Sequence, residues 1–325
     1  MLKRLRIDGF LLALFAAIAI ATLLPAQGTF KSVFGVLTQI AVGLLFFLHG
    51  AKLSRKAVYA GLLHWRLHLL VLSCTYVLFP LLGLGITAVF GAWLTPTLAM
   101  GIIYLCVLPS TVQSSIAFTS IAGGNVSAAV CSASGSSIIG IFVTPVLVGV
   151  LMHAHGGVSL GAIWSIVEQL LLPFVAGQLL QPWVGGFIER HKPMLGIVDR
   201  GSILMVVYLA FGEAMVSGLW SRVSLNAIIG MAVIDTALLF IVLCCTTYGS
   251  RFFGFSREDQ ITIVFCGSKK SLVTGVPMAN VLFPASMVGG IVLPLMIFHQ
   301  IQLAVCAALA KRYAEHSRNH ATPVG

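Results

Sequence analysis

FCGSKKSLVTGVPMANVLFP, residues 265–284, decides how the chain must be read. It is long and apolar, yet it carries two adjacent lysines, Lys269 and Lys270, far from any charged loop. An ionised side chain at membrane depth is costly, so it faces a cavity or a partner and marks a pathway. Gly267, Gly275 and Pro277 surround the pair and predict a broken helix. Membranes tolerate such a break only where protein or water satisfies the freed backbone. The combination points to a transport site.

The rest of the chain agrees. Of 325 residues, 58% are hydrophobic and only 9% charged, more apolar surface than a soluble domain needs. The apolar segments are continuous rather than alternating, which excludes a β-barrel and leaves an all-α polytopic membrane protein. Ten spans are predicted near 9–25, 33–51, 67–90, 97–121, 126–152, 160–183, 202–219, 225–248, 260–283 and 286–309, lengths that suit a hydrocarbon core needing about 20 residues per helix. The basic, apolar N-terminus is read as a retained first helix rather than a signal peptide. Residues 1–312 form one membrane domain, with repeats near 1–155 and 156–312, and 313–325 form a short tail expected to fray after Lys311.

The net charge of +10 does not gather into one basic surface, which excludes nucleic acid as a partner. With both termini cytoplasmic, fifteen of the nineteen Lys and Arg lie on the inner side; Lys31 and Arg222 lie outside and the remaining two are the intramembrane pair. This is the positive-inside bias of a plasma membrane protein, in a bacterium the inner membrane. The seven cysteines all fall in predicted spans without metal-ligand spacing and read as small buried hydrophobes.

Five spans per half would make the second half an inverted copy of the first. SSIAFTSIAGGN (114–125) and KSLVTGVPMANVLF (270–283) each lead from a polar, helix-breaking start to an apolar helix with a proline, Pro145 or Pro294. The fourth span carries the second break. Ser110 to Ser137 holds eleven Ser or Thr residues with Gln113 and Asn125, and Pro109 removes a backbone donor at its start. Hydroxyls and unwound carbonyls there are ligands for a small cation or polar solute. The alternative is that the hydroxyls bond back to their own helices or join packed ones.

FFLHGAKLSRKA (46–57), HWRLHL (64–69), LFPLLGLG (78–85), LPSTVQSS (108–115), AGGN (122–125) and GSKKSLVTGVPMAN (267–280) resemble the bile acid:sodium symporter superfamily, in particular its YfeH-type branch, related to the solute carrier family 10 member 7 type. The resemblance covers essentially the whole chain. It implies a panel domain of spans 1, 2, 6 and 7 and a core domain of spans 3–5 and 8–10, with broken spans 4 and 9 crossing near the midplane. Ser114 and Ser115 stand where the sodium-coupled branch has a Ser-Asn pair holding sodium. Ser132, Ser134, Ser136 or Ser137 correspond to hydroxyls completing that site. Thr75 replaces a third-span glutamine, and Lys269 and Lys270 replace the ninth-span acid and amide. These departures argue against two-sodium bile-acid cotransport.

The leading expectation is that one lysine occupies the sodium position. Burial disfavours its charged form, making H+ a candidate coupling ion beside Na+ at Ser114 and Ser115. Successive helical positions point about 100° apart, so an intact helix would not aim both ammonium groups at one site. The other lysine would meet Asp235 or Glu213, or contact an anionic solute; a fixed ion pair is the structural alternative. Ser271 and Asn280 complete the candidate set. His299, Gln300 and Gln302 are weaker candidates on span 10, and His64 to His68 read as an interfacial anchor. A secondary transporter of a small organic, anionic solute, embedded in the bilayer, is the favoured function. The alternative is a regulatory membrane protein on the same scaffold. No nucleophile elbow, HExxH or Walker sequence supports an enzyme or an ATP-driven pump.

Overall fold

A computed structural model describes residues 9–52, 64–152, 167–216, 218 and 224–320. Lys3, Arg4, Arg6, Arg55, Lys56, Arg222, the start of the sixth predicted span, the repeat boundary at 155/156 and residues 321–325 lie outside the described residues. Among those described there is no strand. The helices are α1 (Gly9–Leu23), α2 (Gly28–Lys52), α3 (Trp65–Ser73), α4 (Phe79–Phe90), α5 (Pro96–Val107), α6 (Gln113–Ile121), α7 (Val126–Leu151), α8 (Leu172–Arg190), α9 (Lys192–Val216), α10 (Leu225–Phe252), α11 (Arg257–Gly267), α12 (Leu272–Leu282) and α13 (Ala285–His320). A π-turn, Cys74–Leu78, joins α3 to α4 without a loop, and another, Val167–Leu171, leads into α8.

Among the described residues, six stretches are long and apolar enough to cross a membrane: Gly28–Ala51, Trp65–Trp93, Val126–Leu151, Leu195–Glu213, Leu225–Phe252 and Ala285–Glu315. Their flanks expose large apolar side chains, among them Ile40, Val146, Val233 and Phe240. Side chains of this kind left uncovered along a helix call for lipid as their solvent. The chain is an integral membrane protein. Helix α13 continues to His320, so the tail expected to fray after Lys311 is helical for about two and a half further turns.

The element ends follow local chemistry. Thr95 caps α5 through its hydroxyl, which accepts from Leu98 N at 3.4 Å, and Pro96 takes the first helical position. Leu108 is extended because Pro109 follows it, and α5 ends there. Gly123, at φ +74°, terminates α6, and Asn125 then caps α7. The same device recurs where Gly254, at φ +69°, ends α10 and Ser256 caps α11.

The chain divides into two compact units. One comprises Met1–Lys52, Leu160–Ser224 and Val276–Gly290. Within it α2 and α8 cross so closely that a Cβ on Gly50 would overlap the carbonyl of Phe174, and one on Gly177 would overlap that of Phe47. Glycine on both sides is what lets the two backbones meet. Lys31 pairs with Glu213, and the Tyr208 hydroxyl donates to Leu24 O at 2.8 Å. The other unit comprises Leu53–Ser159, Leu225–Gly275 and Ile291–Gly325, and holds both helix breaks.

Candidate transport site at two crossed helix breaks

Helix α5 stops at Val107 and α6 starts at Gln113; α11 stops at Gly267 and α12 starts at Leu272. Each break strands carbonyls at the end of the preceding helix, which must find donors when buried. The two breaks supply each other. Ser110 Oγ donates to Cys266 O at 2.6 Å and Ser115 Oγ to Phe265 O at 3.1 Å, both at the end of α11. In return Lys270 Nζ donates to Cys106 O at 2.8 Å and Leu108 O at 2.7 Å, at the end of α5. Thr144 on α7 takes the remaining Val107 O at 2.8 Å, and Ser268 takes Val264 O at 2.6 Å. The main chains also meet directly, Ser271 N donating to Pro109 O at 2.9 Å.

The third bond of Lys270 goes to Thr75 O at 2.8 Å. That carbonyl is free for a local reason. In the π-turn the Phe79 N–H reaches back to Cys74 O, and residue 80, next in line, is a proline with no N–H. An ammonium has three N–H donors, and Lys270 places all three on backbone carbonyls. Its Nζ also lies 4.1 Å from the centroid of the Phe79 ring. The lysine is fully buried. With the negative end of α5 and an aromatic face around it, the charge is compensated by dipoles rather than by a carboxylate.

Gln302 of α13 fixes the peptide that carries this lysine. Its Oε1 accepts from Lys270 N at 2.9 Å and its Nε2 donates to Lys270 O at 2.9 Å. Nε2 also lies 2.9 Å from His299 Nδ1. With Oε1 committed as acceptor, Nδ1 must accept, which puts the proton of the neutral ring on Nε2.

Lys269 is equally buried but points elsewhere. Its Nζ donates to Ser114 O at 2.9 Å and lies 4.1 Å from the Phe118 ring centroid and 5.4 Å from that of Phe265. One hydrogen bond and two aromatic faces leave donor capacity that Lys270 lacks.

The other candidate residues divide clearly. Thr111 Oγ1 joins Ser114 Oγ at 2.6 Å and Ser115 Oγ at 3.1 Å, and Ser136 Oγ accepts from Ser110 N at 3.1 Å. Ser271 Oγ lies 3.0 Å from Thr274 Oγ1 and caps α12. Thr75 enters only through its carbonyl, because its hydroxyl bonds back to Val71 O at 2.8 Å. Ser132 is bound instead to His68 Nδ1 at 2.7 Å, so that histidine is a packing partner of α7 rather than an interfacial anchor. Ser134 and Ser137 are half-buried and Gln113 is exposed; none enters the cluster. Asn280 and Pro277 belong to the other compact unit. Neither acid meets a lysine of the pair: Glu213 is engaged by Lys31, and the buried Asp235 carboxylate has no hydrogen-bond partner. Sequence reasoning gave little weight to Gln302 and missed Tyr104, whose hydroxyl donates to Gly275 O at 2.6 Å. A lone tyrosine in an apolar span was the available signal, since a buried phenol finds an acceptor.

This constellation sits in a chain several of whose relatives carry transporter names. An uncharacterised Pseudomonas aeruginosa protein is 59% identical over 309 residues, covering 94% of this chain and 93% of its own. YfeH of Escherichia coli, named as a candidate symporter, is 53% identical over 312 residues, covering 94% and 93%. The rat protein named sodium/bile acid cotransporter 7 is 29% identical over 322 residues, covering 95% and 93%. The model of the SBF-like CPA transporter family matches residues 8–315, and the chain belongs to that family.

Proposed function

We propose that this protein is a secondary active transporter of a small organic anion, working by alternating access, in which Lys270 is a built-in cation that takes the place of a coupling sodium. The observation that carries this reading is the three-carbonyl cage around Lys270 Nζ, from Thr75, Cys106 and Leu108. Three backbone oxygens around one positive charge, at two crossed helix breaks, are the kind of ligand set that transporters offer a small cation. With the ammonium in place, its positive charge repels sodium and its three hydrogen bonds occupy the carbonyls that would receive it.

Lys269 is the lysine with donor capacity to spare. It lies beside the start of α6, and the N-terminal ends of α6 and α12 add partial positive charge. That field favours an anionic solute, and H+ becomes the coupling ion best suited to the site. Losing a proton converts the Lys270 ammonium into an amine with two N–H groups, so one of three carbonyls must be released. Loss of that proton is therefore a means of loosening the crossing.

The test is the melting midpoint in sodium, potassium and choline chloride at equal ionic strength, for the native protein and Lys270→Ala. The native protein should show no sodium-selective rise. The variant should acquire one, because a ligand that binds the folded state raises the midpoint with its concentration. A sodium-selective rise in the native protein would sink the surrogate reading. Transport is read separately, as saturable counterflow of labelled organic carboxylates in proteoliposomes, abolished by Lys269→Gln.

A further inference from the structure

At one end of the second unit, Arg251 at the close of α10, Arg257 at the start of α11 and Arg312 on α13 line a cavity of about 320 Å³ together with Leu309 and Tyr313. Nothing in the transport reading uses it. Among the described residues none of these three arginines has a carboxylate within ion-pair distance, although acids are near in sequence. Asp259 accepts from Asn125 Nδ2 at 2.9 Å, and Glu315 lies 4.0 Å from Lys311. Glu258 stands in the first turn of α11 and is exposed.

The walls are firm. Tyr313 packs edge-on to Phe265 at 6.1 Å and lies beneath Arg257, whose guanidinium carbon is 5.8 Å from the ring centroid. Leu309 and Tyr313 rest on the buried cluster of Ala122, Ile261, Phe265, Cys306 and Ala310. The N-terminus of α11 opens beside the cavity and contributes partial positive charge. Next to Arg251, Tyr248, Phe252 and Phe253 are exposed at 67%, 86% and 51%. Exposed aromatic residues giving way to charge mark the level of the membrane interface.

We infer that the cavity bounded by Arg251, Arg257 and Arg312 is a binding site for a phosphate group, presented by an anionic lipid headgroup or by a free phosphate. Guanidinium forks match the oxygens of phosphate, and three converging from different helices fit a tetrahedral anion better than a planar carboxylate. Its occupant bridges the end of α10, the start of α11 and the flank of α13. Since α11 ends at the lysine-bearing break, the occupant braces one arm of that crossing.

The melting midpoint of the delipidated protein in detergent tests this with three additions: phosphatidylglycerol, phosphatidylcholine and inorganic phosphate. Phosphatidylglycerol should raise the midpoint and phosphatidylcholine should not. Each of Arg251→Gln, Arg257→Gln and Arg312→Gln should weaken the apparent affinity, and the triple substitution should do so about tenfold or more. Lys311→Gln, which removes an equal charge from the neighbouring exposed position, should leave the affinity unchanged. A rise with inorganic phosphate as well assigns the site to soluble phosphates; a rise with the lipid alone assigns it to headgroups. Either supports the site. No rise with either, or equal weakening by Lys311→Gln, overturns it. Transport is not read, so failure here is distinct from failure of the transporter assignment.

Discussion

The amide of Ser271 donates to the carbonyl of Pro109 at 2.9 Å, joining the two helix breaks main chain to main chain. Around that bond each break supplies donors for carbonyls stranded at the other. The crossing is thereby a cooperative unit, and its parts are expected to fail together.

Gln302→Leu should be the sharpest test of that cooperation. It leaves both Lys270 N and Lys270 O buried without their partner. An unmet buried polar group costs about 1–3 kcal/mol, so the melting midpoint should fall steeply. Gln302→Glu, whose protonated carboxyl can both accept from Lys270 N and donate to Lys270 O, should fall less. Equal midpoints for the two variants would contradict the two-point anchoring.

Lys270→Met should destabilise more than Lys269→Met. The first strands three carbonyls, the second one. Thermal unfolding of both in the same detergent settles the order, and a reversed order would remove Lys270 from the centre of the crossing.

Asp235→Asn should leave the melting midpoint unchanged or raise it. Both carboxylate oxygens are buried and lack hydrogen-bond partners, and an unpaired buried acid is a cost rather than a support. A large fall would show that Asp235 gains a partner in the working protein, and counterflow of this variant would then locate that role.

Gly50→Ala and Gly177→Ala should each be more damaging than Gly275→Ala. In the first two the added Cβ meets rigid backbone across the α2–α8 contact. In the third it meets the ends of the Leu108 and Leu295 side chains at 2.6 Å, which can rotate away. Yield of folded protein by size-exclusion chromatography would rank them; parity among the three would contradict the contact.

Much of this was legible in the sequence because the informative residues are conspicuous against an apolar background. Two lysines, Pro109 and a run of hydroxyls drew attention to both segments, whereas Gly275 and Pro277, read as helix breakers, lie inside α12. The receivers of the lysines were not legible. They are backbone carbonyls, which every residue owns, and one of them is freed only by the combination of a π-turn with Pro80. The charge-pairing expectation failed for the same reason: it looked for a carboxylate, whereas helix-end dipoles and the Phe79 ring receive Lys270. The hydroxyls of α7 looked alike in sequence. Only helical phase separates Ser136, which reaches the break, from Ser134 and Ser137, which do not.

The cage around Lys270 has an implication for divergence. Its three oxygens belong to the peptide chain, so substituting Thr75, Cys106 or Leu108 changes a side chain without deleting a ligand. Mutation reaches the site through the lysine itself or through the register of the turn before Pro80. Dropping one residue from Cys74–Leu78 would return that turn to ordinary α-helical phase and swing the helix beyond it by about 100°. Within this fold, insertions and deletions carry more functional weight there than any single replacement along the cage.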